Sequence, residues 1–188
     1  MQSRLGPVVA VVVGLVPASV LVVGLLRDTL GANPIEEATH HTGEWALRFL
    51  LLTLAVSPLR AYAGWSALLS YRRLLGLLCF FYACLHLLSY AFDIWFDLEI
   101  VIEDMIERPY IIAGASAFAC LLPLAVTSTR GWVGRLGARW RQLHRLVYLV
   151  GMAAIIHFYW LVKAEVTVPL IYAGVLALLL GLRLLARR

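Results

Sequence analysis

Apolar residues run through this chain in six long blocks, with no strand-like alternation and no internal repeat. The blocks cover residues 7–26, 45–59, 74–92, 110–126, 146–162 and 168–185. A helix needs ~20 mostly apolar residues to cross a bilayer, and each block meets or approaches that length. The pattern predicts an all-α polytopic membrane bundle of six transmembrane helices. Residues 1–188 are expected to form a single transmembrane domain. The first block exceeds the ~7–15 residue core of a secretion signal, so it reads as a retained anchor despite Pro17-Ala18-Ser19.

Composition agrees: of 188 residues, 62% are hydrophobic, and mean hydropathy is +0.87. The net charge of +5 changes the picture only through its placement. The first connection holds Asp28, Glu36, Glu37 and Glu44 against Arg27, and the third holds six acids against Arg108. The second holds Arg60, Arg72 and Arg73 without an acid; the fourth holds Arg130, Arg135, Arg139, Arg141 and Arg145. Arg183, Arg187 and Arg188 close the chain. Positive charge on every second connection places both termini in the cytoplasm by the positive-inside rule. The arginines thus report topology in a lipid bilayer, and no nucleic-acid partner is expected. Cys79, Cys84 and Cys120 all fall inside spans and form no CxxC pair, so they read as packing residues.

Candidate chemistry rests on histidine. An imidazole within lipid is costly, turns to the protein interior and marks a functional site by default. His86 lies thirteen residues beyond Arg73 and His157 twelve beyond Arg145. At ~1.5 Å per residue, both rise ~18–20 Å above the cytoplasmic boundary. Two neutral imidazoles at one level suit the axial positions of a b-type haem iron. His144, near the cytoplasmic face, is the candidate for a second, inner haem. On an ideal straight helix, however, it would point ~140° away from His157. The third span offers only Arg72 and Arg73 at that depth.

Other positions carry two readings each. Residues 30–41 are expected as an outer loop, with His40, His41, Glu36 and Glu37 solvated rather than metal-binding. Thr42 is a reasonable N-cap for the second helix, and Ser57-Pro58-Leu59-Arg60 its end. Arg48 can pair with Glu44 one turn away or neutralise a haem propionate, and the two are compatible. Residues 93–108 read as an acidic outer loop whose apolar side chains lie along the membrane. Pro109 suits a first helical turn, and 127–145 reads as an interfacial helix with Trp and Arg anchors. There is no dinucleotide-binding or Walker motif and no Ser/His/Asp order. Intramembrane carboxylates for an ion-coupled transporter are absent too.

TGEWAL (42–47), SPLR (57–60), RRLLGL (72–77), HLLSY (86–90), RPYI (108–111), TSTR (127–130), QLHRLVYL (142–149) and HFYWLVK (157–163) together resemble the MsrQ (YedZ) family. These are haem-binding membrane subunits of bacterial protein-methionine-sulfoxide reductase systems, within the ferric-reductase-like transmembrane superfamily. The likeness spans about 42–185. It implies a bacterial inner-membrane cytochrome b, an electron-transfer subunit rather than a complete enzyme. Electrons would pass from the quinone pool or a cytoplasmic flavin reductase to a periplasmic molybdopterin enzyme, MsrP. It also implies that His86 and His157 share an outer haem, with His144 as inner ligand opposite Arg73 or Arg72. FMN has been associated with the family, but no residues here spell a flavin site. Relative to larger ferric reductases, the third helix lacks its second histidine and the chain lacks a flavin/nucleotide domain. Rival expectations are a stand-alone ferric or metalloreductase and a non-redox membrane anchor.

Overall fold

The computed structural model describes residues 5–162 and 164–186. Lys163, at the end of HFYWLVK, and Arg187 and Arg188, counted in the basic C-terminal group, lie outside the described residues. Within them the regular elements are all helical. They are α1 (Leu5–Leu26), α2 (Pro34–Ala63), α3 (Arg72–Asp93), α4 (Leu98–Glu107), α5 (Pro109–Val126), α6 (Arg130–Leu136), α7 (Ala138–Leu143), α8 (Leu146–Leu161) and α9 (Thr167–Leu185), with a 3-10 turn at Ser66–Ser70. Six stretches are long and apolar enough to cross a membrane: α1, α2, α3, α5, Ala138–Leu161 and α9. The chain divides after Asp97 into two compact units.

In the first unit α2 and α3 pack along each other, and α1 joins both. The start of α2 differs from the sequence expectation by two turns. Asn33 caps it, its side chain accepting from the Glu36 amide at 3.3 Å, and Pro34 takes the first turn. Asn-Pro supplies both a capping oxygen and a preset φ, and Glu36 and Glu37 complement the helix dipole. Thr42 is therefore no cap. It is buried, and its hydroxyl donates to the Ala38 carbonyl at 2.7 Å. The helix also runs on past Pro58 to Gly64, whose φ of 70° closes it.

Leu47, Leu50, Leu54 and Val56 on α2 and Leu78 and Cys79 on α3 are buried, and Phe49 stacks on Tyr82 between the two helices at 5.4 Å. Tyr82 also stitches α1 in place. Next to Pro17, the Ala18 amide donates to the Tyr82 hydroxyl at 3.0 Å. That hydroxyl in turn donates to the Gly14 carbonyl at 2.9 Å. A side chain thus occupies the gap in the helical ladder that an interior proline favours.

The second unit is built on α5 and α8, with α9 against α8 and α4 against α5. Pro109 opens α5 as expected, and Asp104 pairs with Arg108 at 3.2 Å just before it. The stretch 127–145 forms two short helices, not one, broken at Gly137 (φ 51°). Trp140 anchors it by donating its indole N–H to the Thr127 carbonyl at 2.9 Å. Exposed Val12 and Val13 on α1 and Ile171 and Leu178 on α9 are surfaces suited to lipid.

Candidate functional site

Each unit has a histidine held in the same way. In the first, α3 carries His86 against α2, and its Nδ1 lies 2.8 Å from the Thr39 carbonyl oxygen. In the second, α8 carries His157 against α5, and its Nδ1 lies 2.7 Å from the Tyr110 carbonyl oxygen. A carbonyl only accepts, so in both rings Nδ1 bears the proton and donates. The neutral imidazole then keeps its lone pair on Nε2, the arrangement in which a second hydrogen bond orients a metal-ligating histidine.

Glycine lies under each ring. A Cβ on Gly43 would stand 2.9 Å from His86 Nδ1 and 3.0 Å from Cε1. On Gly114 it would stand 2.7 Å from His157 Nδ1 and 2.9 Å from Cε1. Sequence reasoning missed both. Gly43 enters the sequence pattern only within TGEWAL (42–47), and Gly114 lies in no motif. Their shared distance to the histidines was the available signal.

His144 also follows this tautomer, its Nδ1 donating to the Trp140 carbonyl at 3.1 Å. Its ring stacks on Trp140 at 3.9 Å, and its Nε2 is enclosed from solvent. His144 ends α7 rather than continuing α8, because the chain turns at 144–145. His144 and His157 therefore do not share one unbroken α-helix, the arrangement for which ~140° holds.

Arg72 and Arg73 sit exposed in the first turn of α3. Arg48 pairs with Glu44 and lies 4.8 Å over the Trp45 ring, so the ion-pair reading is realised. His40 is exposed, 3.8 Å from Glu36. His41 is not the solvated loop residue expected: it lies on α2, and its Nε2 donates to the Pro17 carbonyl at 3.2 Å. Among the described residues no three His, Cys, Asp or Glu side chains gather as a metal cluster. The two carbonyl-held imidazoles fit a haem, whose iron takes histidine as a protein ligand.

Comparison with known proteins places this helical membrane chain in a known class. The model of the ferric reductase like transmembrane component family matches residues 42–156. Related curated proteins carry the name protein-methionine-sulfoxide reductase heme-binding subunit MsrQ. One from Xanthomonas campestris is 49% identical over 164 residues, 85% of this chain and 74% of that protein. One from Herminiimonas arsenicoxydans is 46% identical over 176 residues, 92% of this chain and 81% of that protein. The chain belongs to the MsrQ family within the ferric-reductase-like membrane components. No solved structure matches it.

Proposed function

We propose that this chain is a haem b subunit that carries electrons across the bacterial inner membrane. His86 and His157 would hold an outer haem. The observation that carries this is the shared Nδ1–H tautomer of the two imidazoles, each fixed by a backbone carbonyl. Their pairing rests on the sequence, where both stand at like heights above arginine-marked ends. Haem supplies one-electron chemistry, and the chain supplies ligands, orientation and a low-dielectric surround.

Electrons enter at the arginine-rich cytoplasmic face, from quinol or a cytoplasmic flavin reductase. They leave near the acidic stretch around α4, toward a periplasmic molybdopterin methionine-sulfoxide reductase of the MsrP kind. The name of the relatives supports that destination, and the alternation of charge supports cytoplasmic termini. His144 is the ligand for an inner haem. Seventy-one residues separate His86 from His157, and the same interval separates Arg73, rather than Arg72, from His144. That register favours Arg73 as the group facing an inner haem. Arg48, whose planar guanidinium pairs with Glu44, is the group we assign to a haem propionate. An FMN role rests on the family resemblance alone.

The test is a reduced-minus-oxidised spectrum with haem quantified per chain. His86→Ala or His157→Ala removes most b-type absorbance, and His40→Ala does not; unchanged haem in either of the first two refutes the ligand assignment. The family's ferric-reductase likeness favours one second reading, a stand-alone metalloreductase. Reduction of ferric chelates by the purified chain supplied with quinol, without a periplasmic partner, would establish it.

A further inference from the structure

The two histidine sites agree in more than tautomer. In both, the ring reaches a carbonyl 47 residues earlier in the chain. In both, the glycine lies four residues after that carbonyl, Thr39 to Gly43 and Tyr110 to Gly114. The relation has a physical cause. In an α-helix the carbonyl of residue i points along the axis toward the amide of residue i+4. At both sites the ring that donates to that carbonyl lies across the Cα of residue i+4. A Cβ there would stand within 3.0 Å of the ring, and only glycine has none.

We propose that 39–86 and 110–157 are two copies of one imidazole-holding half-site, in which Gly43 and Gly114 are the positioning residues. Each glycine lets the facing histidine settle on the carbonyl, which fixes the proton on Nδ1 and presents Nε2 to iron. The last step rests on the haem reading above; the placement of the ring and its proton does not. The half-site is asymmetric in tightness. A Cβ at 114 also meets His157 Cγ at 3.3 Å, against 3.7 Å for His86 Cγ from 43. Alanine at 114 therefore displaces its ring further than alanine at 43.

The experiment uses the full chain, reconstituted in lipid nanodiscs, with and without haem. Nitrogen-15 histidine spectra of the haem-free protein report the tautomer directly. Wild type is expected to show Nδ1–H for His86 and His157, and Gly43→Ala and Gly114→Ala to lose it for His86 and His157 respectively. In titrations with haem, each variant is expected to bind ~10-fold or more weakly, the scale of losing an orienting partner of a metal-bound histidine. Gly114→Ala should show the greater loss. Gly76→Ala and Gly181→Ala are the controls: a Cβ at 76 meets only Thr53 at 3.9 Å, and one at 181 meets nothing within 4 Å.

Thermal unfolding of Gly43→Ala, His86→Ala and their double variant guards against a simple folding defect. If the glycine makes room for the ring, alanine at 43 destabilises the chain with His86 present and is tolerated once His86 is alanine. Equal destabilisation in both backgrounds overturns the proposal. So do cradle variants that keep the wild-type tautomer and haem affinity, or controls that lose as much. A wild type with both tautomers as stated but no affinity for haem supports the half-site and overturns the haem reading instead.

Discussion

The helix pair α2/α3 and the helix pair α5/α8 hold their histidines alike, yet almost everything around them differs. In the first unit α1 is stitched on by Tyr82 and His41, and Trp45, Phe49 and Phe81 crowd round Tyr82. At the place equivalent to Tyr82 the second unit has Ala153, and no such stitch is possible. It relies on α9 instead, where buried Arg183 donates to the Tyr148 hydroxyl at 3.1 Å. Where the first unit starts α3 with exposed Arg73, the second has His144 stacked on Trp140. What the two share is the small set that a braced imidazole requires: a close helix crossing, a carbonyl and a bare Cα. Supporting contacts are free to vary, because many packings can hold two helices together, whereas a ring lying this close to a helix backbone leaves no room for a Cβ beneath it.

The comparison can be broken most sharply at the rings. His86→Ala and His157→Ala should each cost most of the reducible absorbance, and a large loss from only one would show that the two halves are not equivalent. Next comes Tyr82→Phe, which leaves the Ala18 amide and Gly14 carbonyl without their bridge. A loss of about 1–2 kcal/mol is expected, the upper range for hydrogen bonds inside membrane bundles, read by thermal unfolding in nanodiscs. The His157 tautomer should stay as in wild type, since the stitch belongs to the first unit alone. Asn33→Ala removes the cap of α2 and should cost about 1 kcal/mol, with no counterpart effect in the second unit. Smallest is His40→Ala, an exposed change expected within about 0.5 kcal/mol of wild type and neutral for haem content.

The six spans were legible because lipid imposes a local rule: each crossing needs its own uninterrupted apolar run. The three histidines stood out by the same rule, as polar groups where few are tolerated. The ends of α2 were misjudged because Thr42 and Ser57-Pro58 are plausible punctuation, and Asn33-Pro34 and Gly64 are stronger. The direction of His144 relative to His157 was not legible, because it depends on the turn at 144–145 that breaks α7 from α8. The repeated half-site left almost no trace: THHTG and YIIAG share one glycine, and HLLSY and HFYWL share one histidine.

By itself, then, the sequence determined how many times this chain can cross a membrane and which side chains are too costly to be there without purpose. Only the tertiary structure decided which nitrogen of each ring carries the proton, which carbonyl receives it and why glycine lies beneath. Hydropathy is a property of neighbours along the chain. A hydrogen bond across 47 residues depends on how closely two helices approach, and that distance is set by the whole seam between them.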